Sequence, residues 1–160
     1  MTTPPPGTRV RRIAVPAALT DQDAADFIAF ARLRNEIYAE ITGNHDEDST
    51  PEEMLANYVP NPDEERRAWL VDLDGRTVGR AVTILPSEES SRVAYLEVDL
   101  LREAWGQGLG TVALAELETD ALASGRTVLQ IWAEHPEAPG QRLTPPTGVG
   151  SIPHDHVAHF

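Results

Sequence analysis

The sequence predicts an α/β (α+β) domain, with a mixed, mostly antiparallel sheet flanked by helices. Three observations predict it. Asp74-Gly75 joins two strand-like runs, RRAWLVDL (66–73) and RTVGRAVTIL (76–85). Asp-Gly between such runs marks a tight hairpin. A third alternating run, RVAYLEVDLL (92–101), extends the hairpin into a meander. A glycine-rich bend, a helix-like run and a further strand then follow, and a strand–helix–strand crossover normally makes its two strands parallel.

The elements read in order as follows. Residues 1–7, MTTPPPG, form a flexible tail. RVRRIAVPA (9–17) alternates loosely and reads as a first strand. Thr20 with Asp23 makes a start resembling a capping box. The helix after it, about 21–41, places Phe27, Phe30 or Ala31, Ile37, Tyr38 and Ile41 at helical spacing. TGNHDEDST (42–50) is a polar loop. Thr50, Pro51 and Glu53 supply an N-cap, a first-turn proline and a reciprocal acid, so a short helix runs to about Tyr58. PSEESS (86–91) turns the chain into the third strand of the meander.

Alternation on that strand puts Ala94, Leu96, Val98 and Leu100 on one face and Tyr95, Glu97 and Asp99 on the other. In the helix-like run 111–123, the apolar positions are Val112, Leu114 or Ala115, Leu117, Ala121 and Leu122, and Ser124-Gly125 ends it. TVLQIWAEH (127–135) is the next strand, with Trp132 expected in the core. From Pro136 the sequence is rich in proline and glycine and reads as loop. Only SIPHDHVAHF (151–160) hints at a helix.

Composition narrows the function. The chain has 160 residues, 41% apolar and 24% charged, which suits one globular domain. It has no cysteine, which excludes disulfides and thiolate zinc sites. No apolar run approaches the roughly 20 residues that cross a bilayer, and MTTPPPGTRVRR lacks the order of a signal peptide. A cytoplasmic protein is the expectation. The net charge of −13 argues against nucleic acid and anionic membrane as partners. It suits a cationic substrate such as an amine, although an acidic surface also serves solubility.

The bend GQGLGT (106–111) is the motif that carries chemistry. Glycines at 106, 108 and 110 precede a helix. Glycine backbone can approach a phosphate closely, and a helix N-terminus adds unpaired N–H groups and the positive end of its dipole. The spacing is neither the dinucleotide fingerprint nor a P-loop. Placed after a three-stranded meander, it resembles the GCN5-related N-acetyltransferase (GNAT) family. That family carries (Arg/Gln)-x-x-Gly-x-(Gly/Ala) at this junction, read here as Trp105, Gly106, Gln107, Gly108, Leu109, Gly110. The resemblance spans about residues 9–135.

The resemblance implies an acetyl-CoA site between two strands and a helix. The backbone of Gln107, Gly108, Leu109, Gly110 and Thr111 would hold the pyrophosphate, with the Thr111 hydroxyl assisting. An N–H near Leu100 or Leu101 would face the thioester carbonyl. Trp105 replaces the basic or amide residue and brings no charge. The family also has a helix and two strands after residue 135. The expectation is an incomplete domain over 8–135, followed by loop and the start of a helix over 136–160. A second GNAT lobe, or a homodimer, would complete the sheet.

For acetyl transfer to a small-molecule or peptide amine, Glu97 and Asp99 are the candidate bases, beside Tyr95 just before the acetyl position. Like charges so close would raise one pKa, which suits a base working near neutral pH. Solvated acids on a wet sheet face are the alternative reading. Tyr95 and Tyr38 are the available phenols for the general acid, and each also reads as a packing residue. The HDHxxH tract (154–159) lacks a supporting ligand cluster, so no metal is expected. His45 and His135 are isolated. The function expected is N-acetyltransferase, with a non-catalytic acyl-CoA-binding or scaffold domain as the alternative.

Overall fold

The computed structural model describes residues 5–88, 90–133 and 139–154. His135 and all of the histidine tract but His154 lie outside them. The chain starts with β1 (Thr8–Ile13), followed by helix α1 (Ala24–Thr42) and the short helix α2 (Pro51–Ala56). The meander is β2 (Glu64–Leu73), β3 (Arg76–Pro86) and β4 (Val93–Leu100). Helix α3 (Leu109–Ala123) leads to β5 (Val128–Ile131). The segment read as loop carries a two-residue ladder between β6 (Arg142–Leu143) and β7 (Ile152–Pro153).

Five strands form one sheet in chain order, antiparallel from β1 to β4 and parallel between β4 and β5. The hairpin turns on Asp74 and Gly75, both at positive φ (52° and 80°). With both central residues at positive φ, the turn matches the right-handed twist of the flanking strands.

Each sheet face has its own core. On one face Phe27, Phe30, Ala31, Leu33 and Ile37 of α1 meet Ala68, Leu70, Val82 and Ile84, with Met54, Leu55 and Tyr58 closing the end. On the other, Leu109, Ala113, Leu117 and Ala121 of α3 meet Val71, Ala81, Leu96, Val98 and Leu100. The regular i, i+4 row of α3 keeps the expected Leu117 and Ala121, with Leu114 packed beside it, but is completed by Leu109 and Ala113 rather than by Val112 and Leu122, and its two alanines let the helix lie close to the strands. Leu122 is 59% exposed as a result.

The capping box at α2 forms as expected. Thr50 Oγ1 accepts from the Glu53 N–H, and Glu53 Oε2 accepts from the Thr50 N–H. The start of α1 differs. Asp23 is its N-cap without a side-chain capping bond. Asp21 instead accepts from the Ala18 N–H through its carboxylate and from the Ala24 N–H through its carbonyl. Residues 18–23 are thus held in turns, and the helix begins three residues later than its periodicity suggests. Among the described residues no helix is long and apolar enough to cross a membrane.

Candidate active site

The glycine bend joins the end of β4 to α3 through one turn of 3₁₀ helix, Arg102–Ala104. The Arg102 N–H donates to Glu40 Oε2 at 2.7 Å, and Arg76 pairs with Glu103 at 2.7 Å, so α1 and β3 both hold the turn. Gly106 and Gly108 take φ of 72° and 84°, a region that side-chain-bearing residues adopt at a cost. Gly108 is the N-cap of α3, which therefore starts two residues before the expected position. Leu109, fully buried, pins that first turn to the core.

The backbone of the bend is accessible. A Cβ built on Gly106 would meet nothing within 4 Å. Gly106, Gln107 and Thr111 are exposed, and Gly108 and Gly110 half-buried. Among the described residues no hydrogen bond is made by the amides of 106–111. The first turn of α3 holds no acid to offset the dipole.

Beside the bend the sheet opens. Strand β5 pairs with β4 only over Val93–Leu96, opposite Val128–Ile131. The rest of β4 pairs with β3 alone, through Gly79↔Leu100, Arg80↔Asp99, Ala81↔Val98 and Val82↔Glu97. The Leu101 N–H donates to the Val78 carbonyl at 2.9 Å. It is therefore committed to β3, which corrects the expectation that it could serve a thioester. Backbone groups alternate in direction along a strand, so the N–H groups of Leu100 and Val98 face the opening. The Leu100 carbonyl also faces it, and there it accepts the Trp105 indole N–H at 2.8 Å. Arg102 lies over the Trp105 ring, 5.3 Å from its centroid. A Cβ on Gly79 would come within 2.3 Å of Leu100 Cδ2 and 2.9 Å of the Asp99 carbonyl, so the end of β4 lies where only glycine fits opposite it.

The acid face is not simply solvated. Arg80, only 4% exposed, donates through Nε to Asp99 at 2.8 Å and through Nη2 to Glu97 at 3.2 Å. Its guanidinium stands 4.9 Å from the Phe30 ring centroid. Burial alone would lower the Arg80 pKa, but Asp99, Tyr58 and Glu97 outweigh it and the net shift is upward. Burial raises the Glu97 pKa above the ordinary glutamate range. Arg80 pulls it down and Asp99 pushes it up, so the like-charge effect expected from sequence is secondary to desolvation. Tyr58, buried against Phe27 and Phe30 edge to face, has its phenol pushed up to about 12, chiefly by burial.

Glu97, Asp99 and Tyr95 thus share one face, as alternation requires, and Leu100 to Thr111 line the bend at the end of the same strand. Tyr95 is half-buried and stacks on Trp132, with centroids 5.2 Å apart and an angle of 14°. Trp132 is 67% exposed, which corrects its assignment to the core. It sits one residue past the end of β5, which is the edge strand of the sheet among the described residues. Arg80, Tyr58 and Gly79 were missed. A lone arginine among GRAVTIL (79–85) in a central strand was the available signal for Arg80, since a charge there needs carboxylates across the pair. Among the described residues no cluster of three or more His, Asp or Glu side chains could hold a metal.

Several solved structures share this architecture. A tandem GNAT protein from the clavulanic acid biosynthesis pathway superposes with a TM-score of 0.60 at 21% identity, over 84% of this chain. This chain spans 39% of the tandem protein's length. An aminoglycoside acetyltransferase from an uncultured soil metagenomic sample, solved with sisomicin, gives 0.60 at 15% identity, over 90% of this chain and 97% of that one. The yncA protein of Salmonella typhimurium, solved with its cofactor acetyl-CoA, gives 0.56 at 17% identity, over 78% and 69%. At these identities the likeness speaks to the fold. No curated protein matches in sequence. The profile of the acetyltransferase (GNAT) family matches residues 27–144, from α1 through the meander, the glycine bend and β5. The chain belongs to the GNAT acetyltransferase family.

Proposed function

We propose that this chain is an N-acetyltransferase, or the amino-terminal lobe of one, that moves an acetyl group from acetyl-CoA to an amine by direct attack. One observation carries the proposal. The main-chain N–H groups of 106–111, unpaired among the described residues and exposed at Gly106, Gln107 and Thr111, lie at the end of a strand whose free edge runs beside a half-buried acid pair. The bend fits a diphosphate: its backbone is open, its glycines admit close approach, and its helix end is positive.

In this reading Gln107, Gly108, Leu109, Gly110 and Thr111 hold the diphosphate by main-chain N–H groups. The free edge at Val98 and Leu100 would hold the carrier arm by main-chain hydrogen bonds, with the Leu100 N–H as the donor available to the thioester. Acetyl-CoA supplies an activated thioester carbon and a thiolate leaving group. Glu97 takes the proton that the ammonium must lose before its nitrogen attacks, and burial, which raises its pKa, makes it a stronger base than an exposed glutamate. Asp99 shares Arg80 with it and keeps that guanidinium in place. Tyr95 lines the same face. The raised pKa of Tyr58 makes it a poor donor to a thiolate. The yncA complex with acetyl-CoA and the aminoglycoside enzyme support the carrier and the small-amine class by likeness. Strand β5, with Leu129 and Ile131 partly exposed beside Leu122 of α3, is the edge that a second lobe or second copy would cover. Sedimentation showing only monomer would remove the second copy.

A non-catalytic acyl-CoA-binding domain is the second reading. It is favoured by the Trp105 bond to the Leu100 carbonyl and by the hold of Arg80 on both acids. Calorimetry with acetyl-CoA tests both. Binding is expected, and Gly108→Glu abolishes it by placing a strained, negative side chain in the bend. No heat from the wild-type chain rejects both readings. Thiol release with an amine panel then separates catalyst from binder.

A further inference from the structure

Trp132 is the most exposed large aromatic among the described residues, and it is not loose. Its ring lies nearly parallel to that of Tyr95, which is itself packed against the core of α1 and α2. One ring is anchored, and the other presents a free π face to solvent. The register places this pair. Tyr95 lies opposite Gln130, so Gln130 and Trp132 share the sheet face of Tyr95, Glu97 and Asp99. Trp132 follows the last paired residue of β5, where the two strands part. An open aromatic face therefore stands at the mouth of the gap, beside two carboxylates that share one guanidinium. Two further arginines act on Glu97 by charge, each with an acid of its own: Arg66 pairs with Glu64 at 2.6 Å, and Arg34, over the Tyr38 ring, pairs with Glu47 at 3.8 Å.

A tryptophan face attracts a cation more strongly than other side-chain rings do. The nitrogen that attacks a thioester must be neutral when it does so. A cation held over the ring is therefore a different nitrogen, one that keeps its charge.

We propose that Trp132, stacked on Tyr95, is the acceptor platform, and that it takes a small amine bearing a second ammonium group, held over the indole while the reacting nitrogen reaches Glu97. This rests on the transferase reading for its reaction but not for its binding. The acid face completes the selection, because two carboxylates there share one guanidinium and the chain as a whole carries −13.

Direct binding tests it. Putrescine, n-butylamine and phenethylamine are titrated by calorimetry into the full chain, with CoA titrated in parallel. Putrescine is expected to bind about three- to thirtyfold more tightly than n-butylamine, the range of a partly desolvated cation–π contact. Trp132→Ala removes that preference, and Trp132→Phe keeps part of it. Because Trp132 is exposed, neither variant loses core packing, and an unchanged melting curve checks this. Equal binding of the two alkyl amines, or an undiminished preference in Trp132→Ala, overturns the proposal. So does a preference for phenethylamine that Trp132→Ala removes, since the ring would then be selecting another ring. CoA binding without amine discrimination overturns the platform and leaves the transferase reading standing. Amine discrimination without CoA binding does the reverse.

Discussion

The glycine bend and the acid face are built from different materials, and the difference decides how each can be damaged. The bend is main chain. Its donors are the main-chain amides of 106–111, its shape comes from two residues at positive φ, and the neighbouring Trp105 turns its indole toward β4. The acid face is side chain. It exists because β3 places a buried arginine opposite two carboxylates of β4. A substitution that keeps the backbone leaves the first intact and ruins the second. One that adds a Cβ does the opposite.

The largest expected effect separates chemistry from binding. Glu97→Gln removes the base but neither the bend nor the β4 edge, so acetyl-CoA affinity stays the same while kcat falls about a hundredfold. The acid limb of the pH–rate profile disappears with it. Stability should move the other way. The folded-state pKa of Glu97 lies above the unfolded value, so its contribution is fully present in acid and is lost as pH rises through the raised pKa. At neutral pH the ionised, half-buried carboxylate is therefore a net cost, and Glu97→Gln melts no lower than wild type. The two curves converge as the pH falls below the ordinary glutamate range. A pH-independent drop in melting temperature with an unchanged rate would show that Glu97 is only the partner of Arg80.

Arg80→Met comes next. Removing the cation leaves two carboxylates facing a protein interior, and losing one partner of a buried pair costs about 3 kcal/mol or more. Both acids retain some exposure, so the lower end of that range is expected. Urea denaturation should show the loss at pH 7 and a smaller loss at pH 4, because Glu97, its pKa raised, is then the more readily neutralised. An equal loss at both would mean that packing against Phe30, not charge, is what Arg80 supplies.

Gly79→Ala tests whether the two regions are mechanically joined. The new Cβ meets backbone at the end of β4, so the strand must shift at a cost of about 1–3 kcal/mol. Since that strand end leads into the bend, acetyl-CoA affinity should fall with stability. In Arg80→Met, by contrast, affinity should hold while stability falls. Parallel losses in both variants would dissolve the distinction between the regions.

The two regions also differed in how far the sequence revealed them. Residues 106–111 form a local motif, and a contiguous signal suffices to read strand, bend and helix. The alternation of β4 placed Tyr95, Glu97 and Asp99 together for the same reason. Arg80 lies 17 and 19 residues from its partners. Its role depends on the register of the hairpin, which sequence proposes but does not count residue by residue. Trp132 was misplaced because a large aromatic in a strand usually reports burial, and only the sheet order shows that β5 is an edge. Leu117 and Ala121 of α3 were placed inward correctly, but Ala113 was passed over because an alanine carries little apolar weight in a pattern yet allows the closest approach.

Trp105→Phe has the smallest expected effect and probes the point where the two regions touch. The indole N–H saturates the Leu100 carbonyl, the last acceptor on the free edge of β4. A carrier arm pairing with that edge must either leave this carbonyl to Trp105 or take it over. Phenylalanine keeps the ring beneath Arg102 and removes only the donor. If the arm competes for the carbonyl, Trp105→Phe tightens acetyl-CoA binding about three- to tenfold, the worth of one neutral hydrogen bond of roughly 1 kcal/mol. If the arm stops short of Leu100, affinity stays the same and only a small loss of stability remains. Unchanged affinity would confine pairing to Val98 and place the acetyl group two residues earlier on the strand, nearer to Glu97 than to Asp99.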